Sequence, residues 1–304
     1  MRLVLTETAA QAGAAAVTGL QYAFATVNEW HNDDGRLSER RTALLAWVKT
    51  AAGPVLLGTA ADGEPSSLPA ALAWEGLPAP NGRLSAPPDD WRDRPLVLHP
   101  AAAAVLVTGM ASSLASRSGR AAAEKLADRR VLSWLTLLDA PAIPPGYDRD
   151  DLGNPARKTA LVVDGRIRPP SPLRAGIPLG HAVFNHDTGT FTAPQTPRLE
   201  LEGQMVTVPP HALELVWCLG GLQRYHADGT VRLQCFSRVA ELPGSWFSVR
   251  LRGKPVPLLL QARGLAGPRT TVHSDSDVTT RSLVLASAAE LEGAGHAAVT
   301  VITP

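Results

Sequence analysis

Short apolar runs alternate with polar turns along the first part of the chain. Arg2–Leu5 reads as a strand, and the alanine-rich stretch 6–17 behind it reads as a short helix with Thr6 as its N-cap. Leu20–Trp30 and Thr42–Thr50 alternate loosely, which predicts two antiparallel strands. The polar run HNDDGRLSER between them supplies the turn, and Asp34-Gly35 is its strongest signal. Val55–Gly58 predicts a third strand. From Ala60 to Asp93 prolines and glycines interrupt every period, leaving a helix near Ser67–Trp74 and a long irregular connection.

The texture then changes. Pro95–His99 is a short apolar strand, and Pro100 opens a helix where its missing N–H costs nothing. Alanines carry that helix from Ala101 to about Ser116, with a resumption after Gly119 to about Arg129. From Thr159 onward the chain breaks into short β-like runs. They are Thr159–Val163, His181–Asn185, Leu213–Leu219, Val231–Val239, Trp246–Leu251, Val256–Gln261, Thr270–His273, Ser282–Ala286 and Ala298–Ile302. The pattern predicts an α+β protein. An N-terminal α/β region (1–95) precedes a largely antiparallel β sandwich or barrel-like domain (96–304).

Composition narrows the function. The chain has 304 residues, 45% apolar and 19% charged, enough for a sizeable core. Lys+Arg number 29 against Asp+Glu 28, so no net field favours nucleic acid or an anionic membrane. No stretch approaches the roughly 20 apolar residues of a membrane span. The N-terminus carries Glu7 where a secretory signal would need a long apolar core, so a cytoplasmic protein is expected.

Familiar catalytic patterns are weak. Cys218 and Cys235 form no CxxC pair and predict buried reduced thiols, or one bridge if they sit on paired strands. A Cys/His pair with His226 is conceivable, but both cysteines lie in apolar runs. His181 and His186 are the one close histidine pair, and their spacing sends the two rings apart on a strand or a helix. His99 predicts a strand-end residue. Ser245 follows Pro243-Gly244 but lacks the second glycine of a nucleophile elbow. The run His273–Asp277 (HSDSD) predicts a solvated turn more than a cation site, and Leu219-Gly220-Gly221-Leu222 a turn without a phosphate-binding helix.

One stretch is more specific. LVLHPAAAAVLVTGMASSLASR (from Leu96) leads through WLTLLDAPAIPPGYDRDDLGNPARKTALVVDGRI to Ile167: strand, Pro-started helix, acidic Pro/Gly loop, basic step, strand and Asp-Gly turn. Later, TGTFTAPQTPRLELEG, LELVWCLGGLQRYHADGTVRLQCFSRVAELPG and VTTRSLVLASAAELEG follow in the same order. This layout resembles the TldD/PmbA (TldD/TldE) peptidase family from about Leu96 to the C-terminus. Residues 1–95 match it poorly and are shorter than the family's N-terminal region.

Catalytic members of that family carry HExxxH on the helix, with a cysteine near the C-terminus as a further zinc ligand. Imidazoles and a thiolate bind Zn²⁺, and the glutamate takes a proton from the bound water. Alignment places Thr108 and Ser113 at the histidines, Gly109 at the glutamate and Ala286 near the cysteine. The resemblance therefore implies a TldE/PmbA-type non-catalytic subunit, with no cofactor in this chain and zinc in a TldD-like partner. It also implies a peptide substrate, with Arg157, Lys158, Pro197 and Arg198 near the substrate chamber or subunit contact. The alternative is a stand-alone homodimeric binding or scaffold protein.

Overall fold

A computed structural model describes residues 84–115, 132–140, 148–150, 154–168, 198–218, 229–273 and 277–302, and the backbone course of the strands at 2–8, 20–31, 37–50, 53–61, 173–174, 177–178, 183–185 and 190–192. The first four strands, β1 (Arg2–Thr8), β2 (Leu20–His31), β3 (Leu37–Thr50) and β4 (Gly53–Ala61), form an antiparallel sheet in sequence order. The predicted hairpin is there, with two corrections. β3 starts at Leu37, so the connection is shorter than the polar run suggested. β1 continues through Thr8, so no helix begins at Thr6: Thr6 pairs with Val27 in the ladder instead of capping. The Asp34-Gly35 turn and the helix near Ser67–Trp74 lie outside the described residues.

The larger sheet begins with β5 (Pro95–Leu98), which feeds directly into α1 (Pro100–Ala115). Then come β6 (Thr136–Asp139), β7 (Thr159–Val163) and β8 (Arg166–Ile167). Two small ribbons, β9 (Leu173–Arg174) with β10 (Ile177–Pro178) and β11 (Val183–Asn185) with β12 (Thr190–Thr192), stand apart from it. The sheet resumes with β13 (Arg198–Glu202), β14 (Leu213–Cys218), β15 (Val231–Val239) and β16 (Phe247–Gly253). A short α2 (Pro255–Leu260) leads to β17 (Ala262–His273), β18 (Asp277–Ser287), α3 (Ala288–Gly293) and β19 (Ala297–Ile302).

These strands form an eleven-stranded sheet in the order β19-β16-β15-β14-β5-β18-β13-β6-β7-β8, with β17 also on β18. The α+β architecture expected from the sequence is observed, and the sheet is open, not closed into a barrel. It is mostly antiparallel, with parallel pairs at β13/β18 and β14/β5. β18 is the hub. β17 lines one of its edges from Asp277 to Leu285, while the other edge takes β13 at Asp277–Thr279 and β5 at Leu283–Ser287.

Local chemistry explains the pieces. Asp164 and Gly165 both hold positive φ (47° and 73°), the two-residue turn that suits the twist of β7 and β8. A Cβ on Gly165 would lie 1.8 Å from the Leu132 carbonyl oxygen, so only glycine fits. Val256–Gln261, predicted as a strand, is helical instead. Pro255 sits in the first helical turn, where proline presets φ, and Gln261 ends the turn by donating to the Leu258 carbonyl. α3 is fixed by a capping box: the Glu290 N–H donates to Ser287 Oγ (3.2 Å) and the Ser287 N–H to Glu290 Oε2 (2.8 Å).

α1 sits in the middle of the core. Ala102 through Ala111 are buried without interruption, as is Leu114. A helix apolar on all sides has no water face, so it must be covered all round. The sheet strands β14, β15 and β18 cover it, with α2 beside it. Alanines at 102–104 let the sheet come close, as their size suggests. No helix among the described residues is long and apolar enough to cross a membrane.

Candidate functional site

The three positions aligned with zinc ligands, Thr108, Ser113 and Ala286, and Gly109 at the glutamate position lie on two elements that pack together, α1 and β18. None offers a zinc donor. Thr108 is buried at 3% exposure, and its hydroxyl has no hydrogen-bond partner. Gly109 has no side chain. Ser113 faces solvent, and its Oγ donates to the Gly109 carbonyl one turn back at 2.8 Å. Ala286 is a buried methyl group. Thr108 and Ser113 thus meet different surroundings, one core and one water. A zinc ion does not fit these residues. Among the described residues no three His, Cys, Asp or Glu side chains gather to hold a metal.

A second set of predicted residues does converge. β13 reads Arg-Leu-Glu-Leu-Glu, so its leucines turn into the core and Arg198 and Glu200 to the opposite face. Both are buried, at 2% and 4% exposure. The parallel register sets Arg198 beside Asp277, and their charged groups approach to 3.6 Å. Glu200 receives Lys158 Nζ at 3.7 Å and is also paired with Arg269. Thr279, next to Glu200 in the register, shares a 2.9 Å hydrogen bond with Thr271 across the β17/β18 ladder. A buried carboxylate is costly alone, and two cations offset that cost. The basic step before β7 and the start of β13, far apart in sequence, therefore meet at Glu200. Arg157 is exposed beside them, and Pro197 lies outside the described residues.

The sequence reasoning singled out Lys158 and Arg198 but missed Glu200 and Arg269, although the alternation in RLELE could have marked Glu200. Asp277, considered for a cation, answers the Arg198 guanidinium instead. Among the described residues this face carries charge-compensated groups and hydroxyls.

Other candidates resolve into structure. His99 is the strand-end residue expected: its carbonyl accepts from the Ala102 and Ala103 N–H groups, and its Nε2 lies 3.3 Å from Glu214 Oε2. Arg238 Nε donates to the same oxygen at 2.7 Å. The His99 hydrogen bond first, then Arg238, pulls the Glu214 carboxyl down to about 2, so it is no base at neutral pH. At the surface Glu241 is held at about 2, chiefly by His211 (2.5 Å) and also by Arg94. Ser245 closes a turn by donating its N–H to the Leu242 carbonyl; no strand-to-helix elbow is present there. His181, His186, His226 and Leu219–Leu222 lie outside the described residues.

The same fold occurs in known structures. TldE from Thermococcus kodakarensis superposes with a TM-score of 0.61 at 12% identity, over 87% of this chain and 66% of its own. A candidate modulator of a DNA gyrase from Thermotoga maritima gives 0.55 at 14% identity, over 91% of this chain and 71% of its own. Another from Bacteroides thetaiotaomicron gives 0.52 at 11% identity, over 96% and 70%. The chain spans about two thirds of the length of these proteins. No protein-family model and no curated protein matches it. At these identities the likeness speaks for the fold: this is an α+β protein built on the architecture of TldE. The resemblance seen in the sequence is thereby borne out at the level of the fold.

Proposed function

We propose that this chain is a non-catalytic, TldE-like subunit that pairs with a TldD-like zinc metallopeptidase in a peptide-cleaving heterodimer, acting in peptide or natural-product maturation. One observation carries the reading. The positions that the sequence alignment sets at the zinc-site residues, Thr108, Gly109 and Ser113 on α1 and Ala286 on β18, carry no zinc donor and no general base, on a fold shared with TldE. The zinc and its activated water belong to the partner. This chain contributes shape and a polar binding face, with the exposed Arg157 and Lys158 offered to a peptide or to the subunit contact and the buried Arg198–Asp277 pair bracing the strand beneath them.

The test is to purify the chain alone and co-expressed with a protein bearing HExxxH. Alone it should bind no stoichiometric zinc and cleave nothing. Together the two should give a one-to-one complex with chelator-sensitive peptidase activity. Zinc held by this chain alone, or the lack of any complex, overturns the proposal. Within the active complex, Lys158→Ala should raise KM by up to about fivefold with kcat unchanged, the worth of one partly exposed ion pair used in uniform binding. Steady-state kinetics on the substrate peptide reads this directly.

A further inference from the structure

The β14/β15 ladder places Cys218 directly opposite Cys235, with their sulfurs 3.3 Å apart. Both are buried thiols that face the core. A disulfide has its sulfurs about 2.05 Å apart, so the pair must close by only about 1.3 Å, with partner Cα atoms already at cross-strand distance. β14 carries a register shift between Leu215 and Trp217, and after it Trp217 and Cys218 pair in regular register with Phe236 and Cys235. The two sulfurs also differ in access. Cys218, at the strand end, is 5% exposed, and Cys235, mid-strand, is 0% exposed.

We infer that Cys218 and Cys235 form a reversible dithiol–disulfide couple, a modification site driven by hydroperoxides that clamps β14 to β15. This goes beyond the subunit reading and does not depend on it. Cys218 gives its proton to water, and its thiolate attacks one peroxide oxygen. The O–O bond breaks, hydroxide leaves and takes up a proton, and Cys218 becomes a sulfenic acid. The Cys235 sulfur then attacks the Cys218 sulfur. The S–O bond breaks, and the departing hydroxide leaves as a second water with the Cys235 proton. Two thiols lose two electrons, and one peroxide is reduced to two waters. A thiol reductant reverses the bond by exchange.

The full chain is treated with hydrogen peroxide, unfolded in the presence of iodoacetamide, and weighed intact. The expected product has lost two hydrogens and carries no alkyl groups. Its digest contains the Cys218–Cys235 cross-linked peptide, and dithiothreitol restores two alkylatable thiols. The oxidised form should melt several degrees above the reduced form, because the closed loop restricts the unfolded chain. Two variants test the order of events. Cys235→Ser should accumulate a dimedone-reactive sulfenic acid at Cys218, and Cys218→Ser should leave Cys235 unreactive to peroxide. Two alkylated thiols after treatment, or a disulfide between chains, overturns the couple. Sulfenic acid at Cys235 in Cys218→Ser overturns the assignment of Cys218 as the attacked thiol.

Discussion

Thr108 shows how much a single buried hydroxyl can weigh on stability. A threonine hydroxyl in a helix usually bonds a carbonyl one turn back, and here it is buried with no partner. Removing it without changing the volume of the side chain should therefore stabilise the protein. Thr108→Val is expected to add about 1–3 kcal/mol, the desolvation cost of an unsatisfied buried polar group, since valine and threonine have similar helix propensities. Urea unfolding reads this as a raised midpoint at constant slope, and a lowered midpoint would mean that the hydroxyl has a partner in solution. Glu214 behaves oppositely. Its pKa falls from 4.5 to about 2 on folding. A depressed carboxyl contributes stability that is present above pH 4.5 and lost as pH falls toward 2. Because the group is only half-buried, solvent screening reduces that contribution to about 1–2 kcal/mol. Glu214→Gln should lose that much at pH 7 and show a flatter fall below pH 4.5. Glu241 titrates in the same window, so the difference between variant and parent, measured by urea titration at several pH values, isolates Glu214.

At the scale of elements, β19 is the outer strand of the sheet, and an open edge invites pairing with other chains. The protein guards it with a side chain. Glu292 of α3 accepts the Val299 N–H at 2.9 Å through Oε1, and its other oxygen pairs with Arg92. Glu292→Ala should free that N–H and leave a short apolar edge, AAVTVI, exposed to a second copy. Sedimentation velocity across a concentration series should show association in the variant, and the same monomer fraction as the parent would show that the edge needs no guard. Much of this layer was legible in the sequence. Thr159–Val163 and Val231–Val239 were placed to the residue because their apolar runs end at turn residues, and Pro100 announced α1. The misses have physical causes. Val256–Gln261 is as apolar as a buried strand, and only the prolines at 255 and 257 hint at a turn of helix. Thr136–Asp139 is too short to show a period. Glu200 reads as a surface residue until parallel pairing with β18 and the distant Lys158 bury it. Sequence spacing carries no such information, because the partners come from the step before β7 and from β17.

The eleven-stranded sheet hangs on β18. It joins β5, and through it β14, β15, β16 and β19, to β13, and through it β6, β7 and β8, while β17 lines its other edge. A strand shared in this way couples the two wings of the sheet: neither can open by peeling from an edge without leaving the other attached to the same hub. Leu283 lies where β18 meets β5, wholly buried in the core that holds α1. Leu283→Ala should cost about 2–5 kcal/mol, the lost transfer energy plus a cavity that a close-packed interior only partly fills. If β18 is a common hinge of stability, that loss appears everywhere. Amides of β15 and β16 on one side and of β6 and β7 on the other should lose protection by the same factor, about thirtyfold or more at 1.36 kcal/mol per decade. Native-state hydrogen exchange resolved by peptide measures both wings in one experiment. A drop confined to the β5 side would mean that the wings are separate cooperative units. The stretch of β18 between its two sets of partners would then be a boundary, and the buried charges at Arg198 and Glu200 would be held by β13 and its neighbours alone.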